Sequence, residues 1–180
     1  ERQRPTVCAC PTTERNLGDG FLPASALSAR RVPISLGSDS HAQIDLWADA
    51  RLVEYHERLL KERRNVLAKN RHVWTPDHSQ RLDTADVIWP MLNVHGARSL
   101  GSETGQLTPG TPADFTVIDL DDLSVAGTTS VTLKTDLVFS LQSRAVRDVY
   151  VAGKPIVQNG HHPHQLSITE DFLAVMRTET

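Results

Sequence analysis

Excess positive charge, long apolar runs and cysteine are all scarce in this sequence. Lysine and arginine number 19 against 22 aspartates and glutamates, a formal net charge of -3. That balance gives no electrostatic footing for nucleic acid or an anionic membrane, so neither is expected as a partner. No apolar run approaches the ~20 residues of a membrane-spanning helix. The opening Glu-Arg-Gln-Arg-Pro has no apolar region behind it, so no secretory leader is expected. Cysteine occurs only at Cys8 and Cys10. Two apart on a strand, these face the same way, form no CxxC pair and are poorly placed for a mutual disulfide. Reduced thiols in a cytoplasmic protein are the simplest reading. A metal site built from this pair alone lacks ligands. Internal repeats and low-complexity segments are missing too.

What is present is ordinary for a globular chain: 180 residues, 39% hydrophobic and 23% charged, enough for one domain or one and a half. Residues 6–10 form a short β-prone run that Pro11 stops. A loop over 12–20 follows, then a helix over 22–30 with Pro23 in its first turn. Residues 32–36 make a second strand, which completes a βαβ unit with parallel strands. A parallel strand needs neighbours and helices on both faces, yet nothing precedes the first one. That predicts a chain cut from something longer.

The clearest helix is expected over 45–67. Leu46, Ala50, Val53, Leu60 and Leu67 lie on its apolar side. Glu54 with Arg58 and Glu57 with Lys61, both at i,i+4, read as its solvated face, with His56 near the apolar edge. Residues 69–82 read as a loop. Residues 84–100 read as a helix bent at Pro90 and ended by Gly101. From Thr104 onward the character changes to a small β-rich unit. A strand over 113–120 precedes a Ser/Thr/Asp-rich stretch and the apolar run 137–141. A hairpin over 146–158, turning at Gly153 and closed by Asn159-Gly160, leads to a terminal helix over 168–177. The chain so divides at 1–103, 104–165 and 166–180.

The chemistry concentrates where the second strand ends. Leu36-Gly37-Ser38-Asp39-Ser40-His41 presents one carboxylate at the C-terminal mouth of a core strand, just before a helix. That is where α/β barrels keep their reactive groups. Asp39 could equally be a helix cap or turn former, although Asp45 and Ser40 are available for that role. The 12–20 loop would share the same rim. There Glu14, Arg15 and Asn16 could face a substrate, Arg15 gripping a carboxylate in a bidentate way. His41 could orient a metal-bound carboxylate, or be a plain loop histidine. His161, His162 and His164 make a tempting metal motif, but they follow the last hairpin and read as a solvated polar tail.

Residues 10–20, Cys-Pro-Thr-Thr-Glu-Arg-Asn-Leu-Gly-Asp-Gly, paired with 36–46, Leu-Gly-Ser-Asp-Ser-His-Ala-Gln-Ile-Asp-Leu, resemble the amidohydrolase superfamily. Within it they resemble the formimidoylglutamate deiminases, the iminohydrolases of histidine degradation. Residues 105–115 and 146–157 resemble the composite β domain beside the barrel in the deaminases of that superfamily. The resemblance implies an α/β fold: the C-terminal portion of a (β/α)8 metal-dependent hydrolase barrel plus part of a small composite β-sandwich domain. Residues 6–10 would be the seventh strand and 32–37 the eighth. It implies that Asp39 binds one divalent metal, most simply zinc, and takes a proton from the attacking water. Glu14, Arg15 and His41 would line the substrate side. The superfamily's His-x-His pair, its two later histidines and its glutamate proton shuttle would all lie upstream, so one carboxylate is left for a centre that normally has three protein ligands. Activity from this chain alone is therefore not expected. A small-molecule substrate and a homodimer of the full-length protein follow from the same resemblance. Guanine deaminase, a chlorohydrolase-like relative and a non-catalytic truncated paralogue stand as alternatives.

Overall fold

A computed structural model describes residues 5–40, 43–69, 83–102 and 104–178. It opens with β1 (Val7–Ala9), α1 (Pro11–Leu17), α2 (Ala24–Ala29) and β2 (Ile34–Leu36). The two strands pair in parallel, with Val7 opposite Ile34, Cys8 opposite Ser35 and Ala9 opposite Leu36. The βαβ expectation holds, but the 12–20 segment is mostly helix, not loop. Pro11 ends the strand by starting α1: its preset φ and missing amide hydrogen suit the first helical position. The Glu14 carboxylate accepts from the Cys10 amide at 2.8 Å, and Gly18 at φ 76 closes the helix.

The long helix α3 (Leu46–Lys61) is capped by Asp45, which accepts from the Trp47 and Ala48 amides at 3.0 Å. It stops at Lys61 and does not reach Leu67. Glu62 takes a left-handed conformation (φ 48), and the chain turns back through a 3-10 turn at Leu67–Lys69. The supposed solvated face is its largest departure from expectation. Glu54 and Glu57 are only 0% and 1% exposed, whereas Leu59 is 72% exposed. Glu54 accepts from Arg58 Nε (2.8 Å) and from the Val66 and Leu67 amides (2.9 and 3.0 Å). Glu57 accepts from the Ser25 amide and hydroxyl at 2.7 and 2.9 Å. Each carboxylate satisfies backbone donors of a neighbouring segment, which makes burial tolerable. His56, at the apolar edge, is packed with its ring 4.7 Å from that of Phe21.

Pro90 breaks the expected bent helix outright. The pieces are α4 (Thr84–Ile88), a 3-10 turn at Trp89–Leu92, and α5 (Val94–Ser99). The main core lies between β1, β2 and the helices, with Ile34, Val53, Leu67, Ile88 and Val138 at its heart. Each such side chain contributes ~1.5–3 kcal/mol by leaving water.

The C-terminal third holds β3 (Phe115–Ile118), α6 (Leu133–Phe139), β4 (Val146–Val151), β5 (Lys154–Val157) and α7 (Gln165–Thr178). The strands form an antiparallel sheet in the order β3-β4-β5. The apolar run 137–141 lies on the end of α6 and beyond it. There Leu137 and Leu141 join Val125 and Ala145 in a second core that Trp47 and Trp89 also touch. So α6, inside the stretch assigned to the β unit, packs on α3 and α4. The hairpin turns through Ala152-Gly153 (φ 49 and 74), and Asn159-Gly160 repeats that geometry (φ 49 and 75). No residue of α7 is buried. No helix among the described residues is long and apolar enough to cross a membrane.

Candidate active site

The β1–β2 pairing carries on past the strands, with the Gly37 amide donating to the Ala9 carbonyl at 3.0 Å. Gly37 has no room for a side chain: a Cβ would come within 3.1 Å of Cys8 Sγ and 3.3 Å of Cys10 Sγ. The chain then turns through Ser38-Asp39-Ser40, with Asp39 exposed and at φ 46. Because Asp45 caps α3, the helix-cap role proposed as a rival for Asp39 is already filled. Among the described residues, no donor is hydrogen-bonded to the Asp39 carboxylate.

The α1 helix lies on the same rim. Thr13, 2% exposed, reaches across from it: its Oγ1 donates to the Ser38 carbonyl at 2.9 Å. The same oxygen accepts from the Ser40 amide at 3.3 Å and lies 3.1 Å from Ser40 Oγ. Glu14 spends one carboxylate oxygen on the Cys10 amide, while its Oε2 is buried without a partner among the described residues. Arg15 is exposed, its Nη2 3.4 Å from Gln43 Oε1. His41 lies outside the described residues. Glu14 and Arg15 lie on α1, which Thr13 ties to the turn carrying Asp39; Glu14 is half-buried and Arg15 exposed.

Behind the rim, Asp49 of α3 is fully buried and accepts from the Thr12 amide at 2.9 Å. Burial pushes its carboxyl up from the usual range, and the Thr12 amide bond opposes that. The two free thiols stand with their sulfurs 4.0 Å apart. Burial, then the Cys8 thiol, then the Asp39 and Glu14 carboxylates push the Cys10 thiol up to about 12. Burial and the neighbouring acidic groups both disfavour a thiolate here.

The histidine tail stays at the surface. His162 and His164 rings are 5.6 Å apart, but among the described residues no three His, Cys, Asp or Glu side chains group closely enough to hold a metal. Among the described residues, the Asp39 carboxylate is the kind of hard oxygen donor that suits a divalent ion. Two residues escaped the sequence reading. Thr13 looked like one of several polar loop residues. His95 sits on α5 with Nδ1 2.9 Å from the Ile34 carbonyl, holding that helix beneath β2.

Residues 1–156 match the sequence model of the amidohydrolase family. The chain belongs to that family. It is 33% identical over 167 residues to the formimidoylglutamate deiminase of Pseudomonas aeruginosa, covering 93% of this chain and 35% of that protein. The 8-oxoguanine deaminase of the same organism is 30% identical, covering 67% of this chain and 24% of that protein. A 5-methylthioadenosine/S-adenosylhomocysteine deaminase of Teredinibacter turnerae is 26% identical, over 85% and 32%. The chain thus spans about a third of the curated relatives it matches. Among solved structures, an amidohydrolase from Brucella melitensis superposes with a TM-score of 0.73 at 28% identity, covering 92% of this chain and 34% of that one. An adenosine deaminase from Xanthomonas campestris with bound zinc shares the fold, with a TM-score of 0.73 at 23% identity over 96% and 38%. As an amidohydrolase the chain is the C-terminal portion of the barrel joined to part of the β domain.

Proposed function

We propose that this chain is the C-terminal part of a metal-dependent hydrolase of C–N bonds whose substrate is N-formimidoyl-L-glutamate and whose products are N-formyl-L-glutamate and ammonia. The observation that carries the reading is Asp39. Its carboxylate stands at the mouth of β2, beside the α1 segment, with no hydrogen-bond donor on it among the described residues. The 33% identity to a formimidoylglutamate deiminase across nearly the whole chain supports the choice of substrate.

A divalent metal, with zinc favoured by the zinc-bound deaminase of the same fold, would supply water activation and Lewis acidity at the formimino carbon. Asp39 would hold one position on it and accept a proton from the attacking water. The same carboxyl would return that proton to the nitrogen that leaves as ammonia. Water adds across the C=N bond, the C–N bond to the terminal nitrogen breaks, and the formyl C=O remains. Arg15, exposed on the rim, would meet a carboxylate of the glutamate portion. Glu14, bonded to the Cys10 amide, would hold the rim and add negative potential.

Identities of 26–30% to purine deaminases favour a second reading, an aminopurine substrate at the same centre. Ammonia release separates them, measured with formimidoylglutamate, 8-oxoguanine and methylthioadenosine on the protein with its barrel complete. Turnover of formimidoylglutamate alone is expected, abolished in D39N. Preferential turnover of a purine would replace the first reading by the second. The 180-residue chain by itself, given zinc, should release no ammonia.

A further inference from the structure

Asp39 occupies a backbone region that non-glycine residues seldom visit, at φ 46. Such a conformation persists where the surroundings over-determine it. Here the residues on both sides of Asp39 are tied to a single oxygen. Thr13 Oγ1 donates its proton to the Ser38 carbonyl and accepts the Ser40 amide; Ser40 Oγ lies in range for the second lone pair. One donor and two acceptor positions are a hydroxyl's full capacity.

The base of this bracket is itself held. Thr13 is buried within α1, and its neighbour Thr12 donates its amide to Asp49 on α3. The Cys10 amide at the helix start is closed by Glu14. A line of hydrogen bonds therefore runs from the long helix through α1 to the Ser38–Ser40 turn. We propose that Thr13 is the positioning residue for Asp39: its hydroxyl sets the left-handed turn that aims the carboxylate into the mouth of the barrel. Thr13 touches no substrate and acts through Asp39. This deepens the proposed function and rests on Asp39 serving there as a metal ligand.

The test uses the protein with its barrel complete and compares T13V, T13S and D39N. Valine keeps the shape of threonine and removes the hydroxyl; serine restores it. Zinc affinity, read by competition with a chromogenic chelator, should fall about tenfold or more in T13V. Amide hydrogen exchange in the peptide containing Ser38 and Ser40 should speed up in the same variant. T13S should restore both. Where T13V does not fold, T13A takes its place. A folded hydroxyl-free variant with zinc affinity within about twofold of the parent overturns the proposal, because loss of an orienting hydrogen bond costs more than that. D39N keeps the two claims apart. Unchanged zinc binding in D39N overturns the ligand reading, whereas loss in D39N without loss in T13V overturns the positioning role alone.

Discussion

Glu54 and Glu57 show how much one side chain can decide. Each is a carboxylate out of water whose partners are mainly backbone amides of a different segment. Glu54 closes the turn after α3 by accepting the Val66 and Leu67 amides, with Arg58 as counter-charge. Replacing it with alanine strands those donors and should cost about 3 kcal/mol or more, E54Q roughly half of that. E57A, which removes the carboxylate that accepts from the Ser25 amide and hydroxyl, should cost about 2 kcal/mol. Urea unfolding reads both, and an E54A change below about 1 kcal/mol would contradict the account. Two histidines set a pH dependence. Burial lowers both His56 and His95 from 6.5, with Glu14 opposing it at His56 and the Ile34 carbonyl bond opposing it at His95. The unfolded chain therefore binds more protons between the folded values and 6.5. Their contribution is fully present above that value and is lost as pH falls through the lower folded values. Unfolding midpoints should drop between about pH 7 and 5, and H56F should flatten part of the slope.

At the scale of elements, the glycine packed against the start of α5 is a sharp case. Gly105 lies at φ 93, and a Cβ there would stand 3.0 to 3.1 Å from backbone atoms of Asn93 and Val94. Both the conformation and the space exclude alanine, so G105A should destabilise by more than about 1 kcal/mol, as thermal unfolding would register. The strand–helix order, the Asp39 turn and the hairpin were legible in the sequence because each has a local signal: an apolar run ended by glycine, a cap before a periodic stretch, a positive-φ pair. The α1 helix was not, because Pro11 signals a strand stop and a helix start alike. Nor was the inward turn of Glu54 and Glu57. An i,i+4 acid–base pattern looks the same whether its carboxylates meet water or a neighbour's amides. The bracket on Asp39 was hidden for a related reason: Thr13 and Ser40 are distant in sequence, and threonine carries no periodic signature. The metal reading of Asp39 came from family resemblance, with only the placement of the carboxylate coming from the strand pattern.

For the molecule as a whole, α7 stands apart from the packed centre and carries exposed Leu166, Ile168, Phe172 and Val175. Because α7 buries no residue, removing 165–180 should leave the unfolding midpoint within about 2 °C, since destabilisation of 1 kcal/mol moves it by several degrees. Binding of an apolar dye should fall in the shortened chain. A large drop in midpoint would mean that α7 packs on the core in solution.

The turns at Ala152-Gly153 and Asn159-Gly160 also bear on the order in which the chain gains its shape. Ala152-Gly153 joins β4 directly to β5, so that ribbon closes with little loop entropy, on the ~1–10 μs scale of isolated hairpins, and Asn159-Gly160 closes the Gln158–His161 bridge just beyond it. Joining β3 to β4 closes a loop across the segment that holds α6, and joining Val7 to Ile34 closes one across α1 and α2, each at a greater cost in loop entropy. The ribbon is thus the natural early structure, and the rim that carries Asp39 takes form among the late ones.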